Sequence, residues 1–114
     1  MPHVIIEHSI KAFDKSLNQN ILNSIAKGIE QTLLFNIDNI KIRLHPINDF
    51  LLAKELEHFI HIQCRIHIGR SEAQKTQLSQ AVLDAISGYT KLKTVITVEI
   101  VDMDTGSYSK QVIY

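Results

Sequence analysis

Two residues in this chain have types and positions suited to chemistry: a proline at position 2 and an arginine at position 70. Pro2 stands directly before Val4, Ile5 and Ile6, a β-branched run that reads as a strand. Removal of Met1, which a small second residue permits, would turn the Pro2 nitrogen into a secondary amine. Held at a strand end, that amine can act as a base. A proline leading a strand is also structurally ordinary, and a retained Met1 would leave the nitrogen as an amide without basicity. Arg70 lies in "HIGRS", where Gly69 permits a sharp exit from a strand and Ser71 can cap the next helix. The arginine is then held at a strand-to-helix corner, beside a helix N-terminus whose free N–H groups favour anions. Its alternative is a solvated loop arginine.

More cations gather where the sequence alternates. In "IKIRLH", Ile40, Ile42 and Leu44 face one way and Lys41, Arg43 and His45 the other. In "FIHIQCRIHI", Ile60, Ile62, Cys64, Ile66 and Ile68 oppose His61, Gln63, Arg65 and His67. The only acids expected on this polar face are Glu99 and Glu7. In a monomer it is an ordinary solvated face. Partly covered by another subunit, the same cations become an anion site, with arginine binding carboxylates bidentately.

Other chemistries find little support. His61 and His67, at strand rise, stand roughly 20 Å apart, too far to share a metal ion, and no HExxH, CxxC or carboxylate cluster is present. Cys64 falls on the apolar face, where an inert thiol is expected. There is no GxSxG elbow and no glycine-rich phosphate loop. Twelve basic and twelve acidic residues cancel, and aromatic residues are few. A neutral chain of this kind is not expected to bind nucleic acid or membrane surfaces.

The elements that must position these residues follow from periodicity. Ile21, Leu22, Ile25, Ile29 and Leu33 fall on one helical face, and Leu78, Ala81, Val82, Ala85 and Ile86 on another. Ser16 with Gln19, or Asp14, could cap the first helix, and Ser71 with Gln74 the second. Gly28 should weaken the first helix slightly. "VITVEIVD" supplies a further alternating strand, and the tail "YSKQVIY" a short edge strand. The order is strand–helix–strand twice, giving βαβ halves at about 1–47 and 57–103 joined by "HPINDFLLAKELEH". Right-handed crossovers place both helices on one face of the sheet. The expected fold is an α+β two-layer sandwich, βαββαβ, with one four-stranded sheet.

At 114 residues the chain forms one domain. No secretory leader or membrane-spanning run is apparent, and a single cysteine suits a reducing, cytoplasmic setting.

Taken in order, "PHVIIEHS", "IKIRLH", "FIHIQCRIHIGRS" and "VEIVD" resemble the 5-carboxymethyl-2-hydroxymuconate isomerase family of the tautomerase superfamily, nearly end to end. The resemblance implies a homotrimer whose sheets face inward, and a cofactor-free isomerase acting on a small anionic carboxylate in aromatic-compound breakdown. It implies that Pro2 is the acid/base, that Arg70 holds a carboxylate or developing oxyanion, and that Arg43 assists. Lys41 stands where the family pattern has a second arginine, and keeps the charge without the bidentate fork. His67-Ile68 replaces smaller residues before Gly69 and could reshape the pocket. Two other outcomes stay open: a diverged member of the superfamily (hydratase, dehalogenase or decarboxylase) and a non-catalytic anion-binding module.

Overall fold

The computed structural model describes residues 1–53 and 55–114; Lys54, in the connector, lies outside them. Its strands are β1 (His3–Ser9), β2 (Lys41–Ile47), β3 (His58–Ile66) and β4 (Thr94–Asp102), and its helices α1 (Asn18–Gln31) and α2 (Glu72–Ser87). The sheet order is β2-β1-β3-β4. β1 runs parallel to β2 and β3 parallel to β4, while β1 and β3 pair antiparallel at the centre. Each half is thus one βαβ unit, and the halves meet through their first strands.

Alternation decides which way the sheet faces. Val4, Ile6, Ile60, Ile62, Cys64 and Ile66 are buried, and they form one core with Ile21, Ile25 and Ile29 of α1 and Leu78, Val82 and Ile86 of α2. Ile42 and Leu44 on β2, and Ile96, Val98 and Ile100 on β4, pack against this core only partly buried, because their strands are the sheet edges. Pro46 is accommodated in β2 for the same reason: an edge strand can lack one ladder donor. Burial pushes the Cys64 thiol up to about 12, so it is an inert core group.

The second helix starts as its sequence dictates: the Ser71 hydroxyl accepts from the Gln74 amide while the Gln74 side chain accepts from the Ser71 amide. The first does not. Asp14 caps a short helical turn, Lys15–Leu17, and α1 then begins at Asn18 without a side-chain cap, so the Ser16–Gln19 box is not formed. At the far end α1 stops at Gln31, and Leu33 adopts φ 60 with its side chain 90 % exposed rather than on the core stripe. Thr32 imposes this stop. Its hydroxyl donates to the Ile29 carbonyl and accepts from the Leu34 amide, diverting the chain from further helical turns.

Two further expectations are corrected. β3 ends at Ile66, so His67 and Ile68 lie beyond the strand, and Ile68 is 60 % exposed. The short edge strand expected in the C-terminal tail does not form within this chain. The Tyr108 hydroxyl instead bonds to His3. That contact brings the tail against the polar side of a central strand rather than along an edge.

Candidate active site

β1 carries His3, Ile5 and Glu7 on its polar face, and register sets them beside the cations of both neighbours. His3 lies between Lys41 and Arg65, Ile5 between Arg43 and Gln63, and Glu7 between His45 and His61. Glu99 is committed to His61, 2.6 Å from its Nε2, while Thr97 holds Nδ1 at 2.7 Å. Among the described residues no carboxylate pairs with Lys41, Arg43, Arg65 or Arg70. The lopsided charge read from the sequence therefore survives at the β1 N-terminal end of this face, and is neutralised toward the other end.

Arg43 and His3 fix each other. The guanidinium can only donate, so His3 Nδ1, 3.0 Å from the Arg43 NH1 nitrogen, is the acceptor. The ring is then neutral with its hydrogen on Nε2, which donates to the Tyr108 hydroxyl at 3.0 Å. Burial, Arg43 and Lys41, in that order, lower the His3 pKa and hold this state.

The chain start lies at the end of the same row. Pro2 is fully buried, and its carbonyl accepts from the Lys41 amide at 3.1 Å. The Met1 amino group donates to the Asn39 carbonyl at 2.6 Å, and the Lys41 ammonium reaches that same oxygen at 2.8 Å. Two cationic nitrogens sharing one acceptor repel, and the Met1 amine is lowered to about 6, first by burial and next by Lys41.

Met1 also forms part of the wall of a cavity of about 250 Å³, together with Leu34, Phe35, Asn36, Asn39, His67 and Arg70. Arg70 is placed there by the strand-to-helix corner: Gly69 takes φ 116, a conformation glycine adopts freely, and Ser71 starts α2. Its guanidinium donates to the Leu34 carbonyl at 2.6 Å and lies 4.9 Å from the centre of the Phe35 ring. A larger groove of about 440 Å³ runs between α1 and α2, lined by Lys27, Gln31 and Asp84 among others. None of the groups above reaches it.

The structure thus brings the chain start, Lys41 and Arg70 to one place. Lys41 stands beside the terminal amine rather than on the cavity wall, and Arg43 is held away from the cavity by His3. Sequence reasoning missed Phe35, Asn39 and the Leu34 carbonyl, since the loop that supplies them has no periodic pattern. It placed His67 on the sheet face, whereas the early end of β3 turns that residue toward Arg70. Among the described residues no group of three or more His, Cys, Asp or Glu is arranged to hold a metal ion, and no helix is long and apolar enough to cross a membrane.

Comparisons agree on this architecture. A crystal structure of a 5-carboxymethyl-2-hydroxymuconate delta-isomerase superposes with a TM-score of 0.77 at 16% identity, covering 98% of this chain and 88% of that one. A fused 4-OT wild-type symmetric trimer gives 0.75 at 21% identity over 89% and 86%. A 5-carboxymethyl-2-hydroxymuconate isomerase from Deinococcus radiodurans R1 gives 0.67 at 20% identity over 96% and 88%. No curated protein sequence matches significantly. The protein-family model described as 5-carboxymethyl-2-hydroxymuconate isomerase matches residues 2–111, and the chain belongs to that family.

Proposed function

We propose that this protein, once Met1 is removed, is a cofactor-free isomerase that moves a proton within an unsaturated 2-hydroxy carboxylic acid. Family membership supports an isomerase. The observation that carries the finer reading is the placement of the chain start, at a cavity wall shared with Arg70 and beside Lys41. A secondary amine here meets the burial and like charge that lower the Met1 amine to about 6, so it is largely unprotonated at neutral pH.

The Pro2 amine takes the proton of the enol hydroxyl as the carbonyl forms, and the ammonium so produced returns that proton to a distal carbon of the conjugated chain. One O–H bond breaks, one C–H bond forms, and the double bonds shift between them. Arg70 binds the carboxylate and stabilises the dienolate charge that develops between the two transfers. Lys41 and Arg43 add positive potential without lining the cavity, drawing the anion in and keeping the amine neutral.

The test follows the ultraviolet absorbance of a 2-hydroxymuconate-type dicarboxylate during ketonisation, with the N-terminus established by intact mass. Protein starting at Pro2 is expected to turn over, and protein that retains Met1 or is acetylated is expected to be inactive. Equal rates from the free and blocked forms would overturn the role of Pro2. Arg70→Ala should lower kcat/KM by about 100-fold or more; a loss below about threefold, under 1 kcal/mol, would overturn the role of Arg70. A blocked protein that still binds the dicarboxylate, with no turnover from either form, would favour an anion-binding module.

A further inference from the structure

His67 faces the same cavity as Arg70 yet has no part in the proton transfer described above. Its position is fixed on one side only. The Thr105 hydroxyl accepts from the Ile68 amide at 3.3 Å and lies 3.1 Å from His67 Nδ1. Having accepted the amide, that hydroxyl still has its own hydrogen to give. The imidazole takes it at Nδ1 and carries its ring hydrogen on Nε2. Tyr108 packs edge-on against the same ring, with centroids 5.1 Å apart. Tyr108 is itself anchored by His3, which is anchored by Arg43. The orientation of His67 is therefore set by three residues outside the cavity, while among the described residues its Nε2 has no hydrogen-bond partner.

The rest of the wall narrows what this group can meet. Arg70 supplies one set of donors, Leu34 and Phe35 supply apolar surface, and no carboxylate lines the cavity. A ligand that satisfies both donor side chains carries two acceptor groups with a flat apolar portion available to lie on Phe35.

We propose that His67 is a specificity-determining residue: with Arg70 it receives a substrate bearing a carboxylate at each end of a short unsaturated chain, and it selects that substrate over the corresponding monocarboxylate. This rests on the isomerase reading for the reaction, but not for the binding. A neutral imidazole N–H on a carboxylate is a charge-assisted hydrogen bond, stronger than one between neutral groups.

Two measurements on protein beginning at Pro2 separate these parts. The first compares kcat/KM for 2-hydroxymuconate with that for its monocarboxylate counterpart, 2-hydroxypenta-2,4-dienoate, in wild type, His67→Ala and His67→Gln. The second measures, by calorimetry, the affinity of the same proteins for muconate and for sorbate, which lack the reacting hydroxyl and differ in one carboxylate. The preference for the dicarboxylate should fall about tenfold in His67→Ala, mostly through KM. It should return in part in His67→Gln, whose amide keeps a donor. The preference for muconate over sorbate should fall in parallel. Equal losses on both members of each pair, or a wild type indifferent between muconate and sorbate, would overturn the assignment. A His67-dependent muconate preference without turnover of any enol acid would uphold it while refuting the isomerase reading. Turnover with an unchanged substrate ratio in His67→Ala would do the reverse.

Discussion

Lys41 and Arg70 act on the same cavity by different routes, and the difference is visible in their partners. Arg70 is on the wall, braced by the Leu34 carbonyl and the Phe35 ring, with its remaining donors available. Lys41 sits behind the wall and shares the Asn39 carbonyl with the terminal amine, so its effect on that amine is electrostatic. Burial is the larger cause of the lowered Met1 pKa and Lys41 the second. In the processed protein the acid limb of the kcat/KM profile should therefore fall below the usual range of an α-amino group, about 7.7–8.0. Lys41→Met removes a cation that disfavours the ammonium, so the amine holds its proton to higher pH and the limb moves up. A pH–rate profile of the two proteins checks the sign, and an unmoved limb would assign the whole depression to burial. The substitution of lysine for arginine noted in the sequence thus matters less as a lost fork than as a retained charge at short range.

At the scale of elements, the two helices approach most closely where α1 carries Gly28. A Cβ there would lie 3.2 Å from the Ala85 Cβ and 3.3 Å from the Ala81 carbonyl oxygen, so the glycine is a point of close contact rather than only a weak helix former. The Ser24 hydroxyl crosses the same interface to the Ala85 carbonyl at 3.0 Å. Gly28→Ala should change stability little, because roughly 1 kcal/mol of helix propensity offsets a tight but tolerable contact. Gly28→Leu must push the helices apart and should lower the unfolding free energy by about 1–3 kcal/mol, read by urea denaturation. The sequence predicted both helices from their apolar stripes, and Ala81 and Ala85 belong to the α2 stripe for this reason: they are small where the backbones meet.

The whole molecule contains a histidine that neither the stripes nor the motifs singled out. His8 lies on the apolar side of β1, 4 % exposed, with its ring 4.4 Å from that of Phe13. Its Nδ1–H donates to the Ser9 carbonyl at 2.9 Å, and its Nε2 is buried with no partner. Protonation would place an unsatisfied cation in the core, so burial lowers the His8 pKa, with His45 adding to it against the opposing bond to Ser9. With the folded pKa below the unfolded value of 6.5, the unfolded chain takes up the proton first. Stability is then full above about 6.5, falls as pH drops below that value, and levels off once the folded form also protonates. His3 is lowered in the same direction and adds to the loss. Thermal melts from pH 7.5 to 5 should show the decline, and His8→Leu should flatten it.

Assembly belongs to the same scale. Val112, Ile113 and Tyr114 of the tail are exposed in the single chain, as is Leu51 of the connector. Together with the cationic sheet face these surfaces support the homotrimer proposed from the family, and sedimentation should give a mass near three times 13.0 kDa. A monomer at micromolar concentration would refute it.

The fold was legible in the sequence because its signals are local and repeated. A strand with one buried face must alternate at every residue, a covering helix must place apolar groups every three or four, and Ser71 with Gln74 states a helix start within four positions. Pro2 and Arg70 could be marked as candidates because a strand entrance and a strand-to-helix corner are local features as well. What the sequence did not disclose is decided by residues far apart along the chain. Arg70 meets a carbonyl 36 residues away, His3 meets Tyr108 across 105, and His67 meets Thr105 across 38. These pairings depend on sheet order, register and the paths of loops without periodicity, so only the folded chain puts the amino end, the arginine and the extra histidine around one cavity. The period-2 pattern of β3 itself runs two residues past the strand's end, because alternation reports side-chain type, whereas the strand stops where its backbone leaves the ladder.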